Sequence, residues 1–250
     1  MTAAILCEKV QISTGRSDGP IGGERDETLH APGRLFPVPH IVCRELGIDV
    51  DIVEVDRATH RTRDGEDYLA VNGNGYVPAL RLDGGEVLTE GPAIVQYLAD
   101  SVPGGVRLLP ETGSLGRSRV QSWLNFITAE LHKPMALLFG AVYAPAHDGI
   151  RDLVRKRLGW AEERLVGPYL TGEDFTVADA YLFVCLNWSP WIGLDLAQWP
   201  RLQAFMAAVA ARPGVQAALG EEDLRPFDAG GTFFAPQAFV AGRSSSGVRP

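Results

Sequence analysis

The sequence predicts two successive domains, a small α/β domain and then an all-helical one. Three observations carry this. Between about residues 26 and 103, short segments of alternating apolar and polar residues interleave with helical periods. A stretch rich in Gly and Pro, VPGGVRLLPETG, follows them. Beyond it every strong signal has the helical period.

Within the first domain, TLHA (28–31) is a strand start. PHIVCRELG is a helix of two to three turns, stopped by Gly47 in the position after the last helical residue. DVDIVEVD alternates like a half-buried strand. YVPALRLDGGEVLTE gives two strands around a DGG turn, and EGPAIVQYLADSV places Pro92 in the first turn of a helix. Pro78, which cannot donate to a strand ladder, marks a strand entry or a specially shaped turn. In the helical domain, SLGRSRVQSWLNFITAELHKPMALLFGAVYA, residues 150–165, FTVADAYLFVCL and WPRLQAFMAAVAARPG are helices. Thr176 and Asp179 form a capping box, and Pro200 and Pro213 bound a later helix. The expected organisation is an appended arm (1–25), in which AILCEKVQIS (4–13) reads as a short strand before a Gly-rich charged stretch, the α/β domain (26–103), a linker (104–112), the helical domain (113–220) and a tail (221–250) rich in Gly, Pro and Ser.

The 250 residues carry a formal charge of −8, which argues against nucleic-acid and anionic-membrane surfaces, since both need clustered cations. Arg far outnumbers Lys, a bias that points to a GC-rich genome more than to arginine chemistry. Three cysteines without a CxxC pair suggest neither a disulfide framework nor a zinc knuckle, and a reducing cytoplasm is expected. No basic, apolar leader or membrane-length apolar run is present. GxSxG, HExxH and Walker A motifs are missing, and NGNGYVP lacks the third glycine and following helix of a dinucleotide loop. Cys43 and Cys185 fall on apolar helix faces and are expected in the core.

In this order, Pro32-Gly33, EDYLAVN, GYVPAL, LTEGPAIVQYLADSVP, SWLNFITAELHK and FTVADAYLF resemble the glutathione transferases, most closely the bacterial beta class, from about Leu29 to Leu219. The resemblance implies a thioredoxin-like N-terminal domain, an all-α C-terminal domain, a homodimer, and a glutathione site at the domain junction that acts on a small electrophile. It implies that Pro78 is cis and that Val77 pairs its backbone with the cysteinyl unit like an added strand. Glu90 and Gly91 would grip the γ-glutamyl end, where a helix N-terminus suits the carboxylate and an acidic side chain accepts from the α-amino group. Glu130, His132 and Lys133 of the ELHK segment would line the site from one helix, the histidine near the sulfur, and Asn125 would contribute to it near the dimer interface. Regular i, i+4 spacing puts Asn125, Ala129 and Lys133 on a common face. Asp179 would cap and dock a buried helix, a structural role.

One departure stands out. The beta class carries Tyr, Cys and Ser around the first helix start, and alignment puts His30, Leu35 and Phe36 at those positions. A thiol with a pKa near about 8.5 needs a donor, a charge or a helix N-terminus to become a thiolate at neutral pH. Leu35 and Phe36 donate nothing from their side chains, and Pro37 and Pro39 remove two backbone N–H groups. His30, Arg34 and His132 are the candidates to replace the activator, with Leu35 and Phe36 as a substrate pocket. Three functions stay open: a transferase using glutathione or another low-molecular-weight thiol; a recruited enzyme of specialised metabolism that isomerises, cyclises or adds without thiol activation; and a non-catalytic ligand-binding protein.

Overall fold

The computed structural model describes residues 37–49, 52–56, 59–82 and 85–222, together with the backbone of residues 3–6, 224–226 and 234–236. Strand β1 (Ala3–Leu6) is followed by helix α1 (Val38–Leu46), by the short strands β2 (Ile52–Val53), β3 (Val55–Asp56) and β4 (Arg61–Thr62), and by helix α2 (Tyr68–Val71). Strands β5 (Ala79–Leu82) and β6 (Val87–Thr89) then lead into α3 (Gly91–Asp100). The main sheet runs β2-β1-β5-β6; β1 is parallel to β2 and antiparallel to β5, so that Ile5 pairs with both Ile52 and Leu80. Ala3–Leu6, which overlaps the short strand read at residues 4–13 of the expected arm, is therefore an inner strand of this sheet. The strand expected at TLHA lies outside the described residues.

Local chemistry explains the elements that frame the site. Gly47 ends α1 with φ 69°, a left-handed conformation that costs glycine nothing. The buried Tyr68 donates its hydroxyl to the Tyr76 carbonyl at 2.6 Å, and Asn72 donates its side-chain amide to the same oxygen at 2.7 Å. These two bonds hold the chain just ahead of the Val77–Pro78 peptide, which is cis as the resemblance implied.

The helical domain comprises α4 (Leu115–Phe126), a π turn (Ile127–His132), α5 (Lys133–Leu137), α6 (His147–Arg164), α7 (Val177–Leu186), α8 (Pro200–Ala210) and α9 (Pro213–Glu221). Every residue of α7 is buried, which makes it the central post of the core. Within the expected tail, β7 (Leu224–Pro226) pairs antiparallel with β8 (Phe234–Pro236). Ser114 caps α4, its hydroxyl accepting from the Arg117 N–H at 3.0 Å. Ser114→Ala is expected to lower stability by about 1 kcal/mol, measurable as a shift of the urea midpoint with unchanged slope.

The two domains are pinned through α1. His40, fully buried, places Nδ1 2.8 Å from a Glu222 carboxylate oxygen and Nε2 3.0 Å from one of Glu221, while Arg44 donates to Glu221 at 2.6 Å. One turn further on, Arg212 donates to both oxygens of the buried Glu45 carboxylate. No helix of the described residues is long and apolar enough to cross a membrane. Cys43 and Cys185 are buried free thiols, and burial pushes both well above the ordinary thiol range, so they are core residues as expected.

Candidate functional site

The junction of the domains holds a cavity of about 450 Å³, lined by Val77 and Pro78 from the cis turn, Glu90 and Gly91 from the start of α3, and His132 and Lys133 from the α4–α5 rod. Six of the residues expected at the site thus converge.

Glu90 has φ 69°, which is costly for a residue with a Cβ and persists only where its surroundings impose it. The Glu90 carbonyl accepts from the N–H groups of Ala93 and Ile94, both at 3.0 Å. Pro92 has no N–H, so in the first turn of α3 the Gly91 N–H is the donor left to a ligand, with the positive end of the helix dipole behind it. The exposed Glu90 side chain supplies an acceptor beside it. Such a pair suits a ligand end that bears both an ammonium and a carboxylate.

Across the cavity the rod from α4 to α5 is not a regular helix. Pro134 has no N–H and its ring would clash with the carbonyl four residues back. The helix widens just ahead of it, and the Lys133 N–H bonds the Thr128 carbonyl five residues back. That extra residue breaks the i, i+4 phase on which a common face for Asn125, Ala129 and Lys133 was expected. Asn125 is exposed on α4 and the Glu130 carboxylate accepts from the Arg157 guanidinium of α6 in an ion pair, and neither lines the cavity. His132 and Lys133 are turned into it instead.

His132 sits against two aromatic side chains. Its Nδ1 is 3.0 Å from the Tyr181 hydroxyl, and its ring lies 5.1 Å from that of Trp188. Burial, helped by the neighbouring Lys133 charge, lowers its pKa to about 4, so the imidazole is neutral at pH 7. Burial pushes the Tyr181 phenol well above the usual tyrosine range. Phe139, Tyr143 and Trp188 complete an apolar, aromatic end of the cavity next to its polar end.

His30, Arg34, Leu35 and Phe36 lie outside the described residues. Tyr181, Trp188 and Asn72 line the cavity without having been expected there. For Tyr181 the sequence did hold a signal. It is the one phenol on a helix that is otherwise apolar apart from its capping Asp179, and a buried phenol needs a hydrogen-bond partner.

Family models of the glutathione S-transferase N-terminal domain and C-terminal domain match residues 39–101 and 132–213. The chain is 43% identical over 202 residues to glutathione S-transferase GstA of Escherichia coli O157:H7, covering 79% of this chain and 98% of that protein. It is 34% identical to glutathione S-transferase GST-4.5 of Xanthomonas campestris, covering 77% and 97%. Among solved structures it is similar to the ternary complex of BphK, a bacterial transferase, at 49% identity and a TM-score of 0.73, covering 75% of this chain and 94% of that one. It is also similar to a sphingomonad glutathione S-transferase complexed with glutathione, at 44% identity and a TM-score of 0.71, covering 74% and 93%.

Proposed function

Because the chain belongs to the glutathione S-transferase family, we propose that its cavity binds glutathione and presents the thiol to a small electrophile. The observation that carries the reading is the meeting of three elements on one cavity: the cis Val77–Pro78 turn, the Glu90–Gly91 helix start and the His132–Lys133 wall. Among the described residues the Val77 backbone has no hydrogen-bond partner, so both its groups are open to a peptide-like ligand. β-Augmentation at Val77 would hold the cysteinyl unit, with Pro78 shaping the turn. Glu90 and Gly91 would hold the γ-glutamyl end, and Lys133 would supply positive charge. The aromatic end formed by Phe139, Tyr143 and Trp188 suits an apolar electrophile.

Thiol activation in this reading falls to His132, as a neutral donor, and to Arg34 and His30, in place of the Tyr, Cys and Ser of the beta class. Leu35 and Phe36 would then line the electrophile pocket. A homodimer in the cytoplasm belongs to the same reading, supported by family membership. Calorimetric titration with glutathione, followed by assay of conjugation to an activated aryl halide, tests it. Absence of binding would reject it. Binding without conjugation would favour the recruited-enzyme reading in specialised metabolism, whose support is the apolar Leu35-Phe36 pair where the family carries thiol and hydroxyl.

The pH dependence has a definite sign. With its folded pKa near 4, below the unfolded value of 6.5, His132 adds stability that is fully present above pH 6.5 and lost as pH falls through about 4. It therefore does not titrate in the working range. The profile of kcat/KM is expected to rise once, with the bound thiol, and to show no further inflection near pH 6.5. A steady-state profile from pH 5 to 9 checks this.

A further inference from the structure

We propose that the exposed apolar turn between α5 and α6, residues 141–146, extends the electrophile end of the cavity and fits it to substrates whose apolar chain is too long for the cavity itself. The proposal rests on the glutathione reading above for what fills the polar end. The turn itself is read from burial and geometry.

This 3-10 turn has the sequence AVYAPA, and all six of its residues are exposed. Val142 is 81% exposed and Tyr143 44%. Single apolar residues on a surface are ordinary, but an unbroken run without one charge marks a surface that meets an apolar partner. The backbone holds the run in place. The Gly140 N–H donates to the Leu137 carbonyl and the Tyr143 N–H to the Gly140 carbonyl, both at 3.0 Å. The same Gly140 oxygen lies 3.3 Å from Nε2 of His147, the first residue of α6.

The occupant follows from where the run begins. Of the three aromatic side chains at the apolar end of the cavity, Trp188 is buried, Phe139 half-buried and Tyr143 exposed. The way out of that end therefore passes the Tyr143 ring, and Val142 is its neighbour on the turn. A Cβ built on Gly140 would lie 2.9 Å from the Tyr143 ring, so the ring rests on bare backbone there and a side chain at 140 would displace it. The cavity, about 450 Å³, stands in the lower part of the range of about 300–1,000 Å³ that takes one drug-sized ligand. With a tripeptide seated on Val77, Glu90 and Gly91, the remaining space takes the reacting end of an electrophile. A longer chain continues outside, and the turn offers it apolar surface in place of water. The chain that fits is uncharged, since the one polar side-chain atom of the turn is the Tyr143 hydroxyl.

S-Alkylglutathiones carry the chain already joined to sulfur, so calorimetry tests this without a reaction. In this arrangement the methylenes added between S-hexyl- and S-decylglutathione lie outside the cavity. Each is expected to tighten binding about twofold, half the free-energy effect of a methylene buried on all sides. The decyl form should therefore bind the wild type roughly tenfold more tightly than the hexyl form does, and Val142→Asp within about twofold of it. Equal affinity for the two forms in the wild type would overturn the proposal, and so would a gain that Val142→Asp retains in full. If that variant does not fold, Gly140→Ala, whose negative φ of −86° accepts alanine, decides by the same ratio, because it moves the Tyr143 ring. Sedimentation checks the rival occupant: a lower mass for Val142→Asp would make the turn an interface between copies and overturn the proposal. If neither glutathione nor S-methylglutathione binds, the glutathione reading fails, and 4-hexylphenol and 4-decylphenol judge the turn by the same ratio in the same variants.

Discussion

Asp179→Asn is expected to lower stability by about 3 kcal/mol. The Asp179 carboxylate is fully buried and accepts three hydrogen bonds at 2.7 Å, from the Leu170 N–H, the Thr176 N–H and the Thr176 hydroxyl. An ordinary helix cap contributes about 1 kcal/mol. Here the group also ties the loop before α7 to the central post of the core. An amide in its place turns an NH2 group toward one set of donors and strands them. Burial outweighs the hydrogen bonds and lifts the folded pKa of Asp179 to about 6, above its ordinary 3.8. The native state therefore holds this proton more tightly than the unfolded chain does. The contribution of Asp179 is fully present below pH 3.8 and declines as pH rises through about 6. Urea unfolding at pH 4 and pH 7 checks both statements: this decline is expected in the wild type and missing in Asp179→Asn.

Glu90→Ala is expected to weaken glutathione binding by roughly 10- to 100-fold with little change in stability, since a charge-assisted hydrogen bond contributes about 1.5–3 kcal/mol. The separation of the two effects follows from the position of the residue. Its side chain is exposed at the cavity and makes no cap bond to α3, so its removal strands no buried partner. Its backbone is another matter: at φ 69°, replacement by glycine would relieve strain while also deleting the acceptor. Glu90→Gly is thus expected to be more stable than Glu90→Ala and equally poor at binding. Calorimetry for affinity and thermal unfolding for stability distinguish these outcomes.

Much of this was legible in the chain because it depends on neighbours in sequence. Gly47 ending α1, the Thr176–Asp179 box, Pro78 at its turn and the Glu90–Gly91 start of α3 are all set by residues within a few positions of one another. The quoted motifs brought Val77, Pro78, Glu90, Gly91, His132 and Lys133 together before any coordinate was known. What was hidden is non-local or off-period. The π turn adds one residue to a helix, so regular spacing put Asn125 and Ala129 on one face with Lys133 while the resemblance added Glu130, and of the four residues expected at the site from this rod His132 and Lys133 line the cavity. Pro134 was the available warning, since a proline inside a helical run forces the preceding turn to adjust. The Tyr181–His132 contact joins residues on different helices, and the clasp of His40 by Glu221 and Glu222 joins the first helix to the last. No local pattern encodes either. That the strand near the N-terminus belongs inside the main sheet was hidden because its partners, Ile52 and Leu80, lie far along the chain.

The central claim is that this cavity binds glutathione through the Glu90 end and lowers the pKa of its thiol. Ultraviolet titration of the thiolate at saturating glutathione measures both parts together. A bound thiol with a pKa at least one unit below the free value of about 8.5, shifted upward in His132→Ala and lost with binding in Glu90→Ala, is the expected result. A bound thiol that titrates as it does in water, unaffected by either substitution, would contradict it.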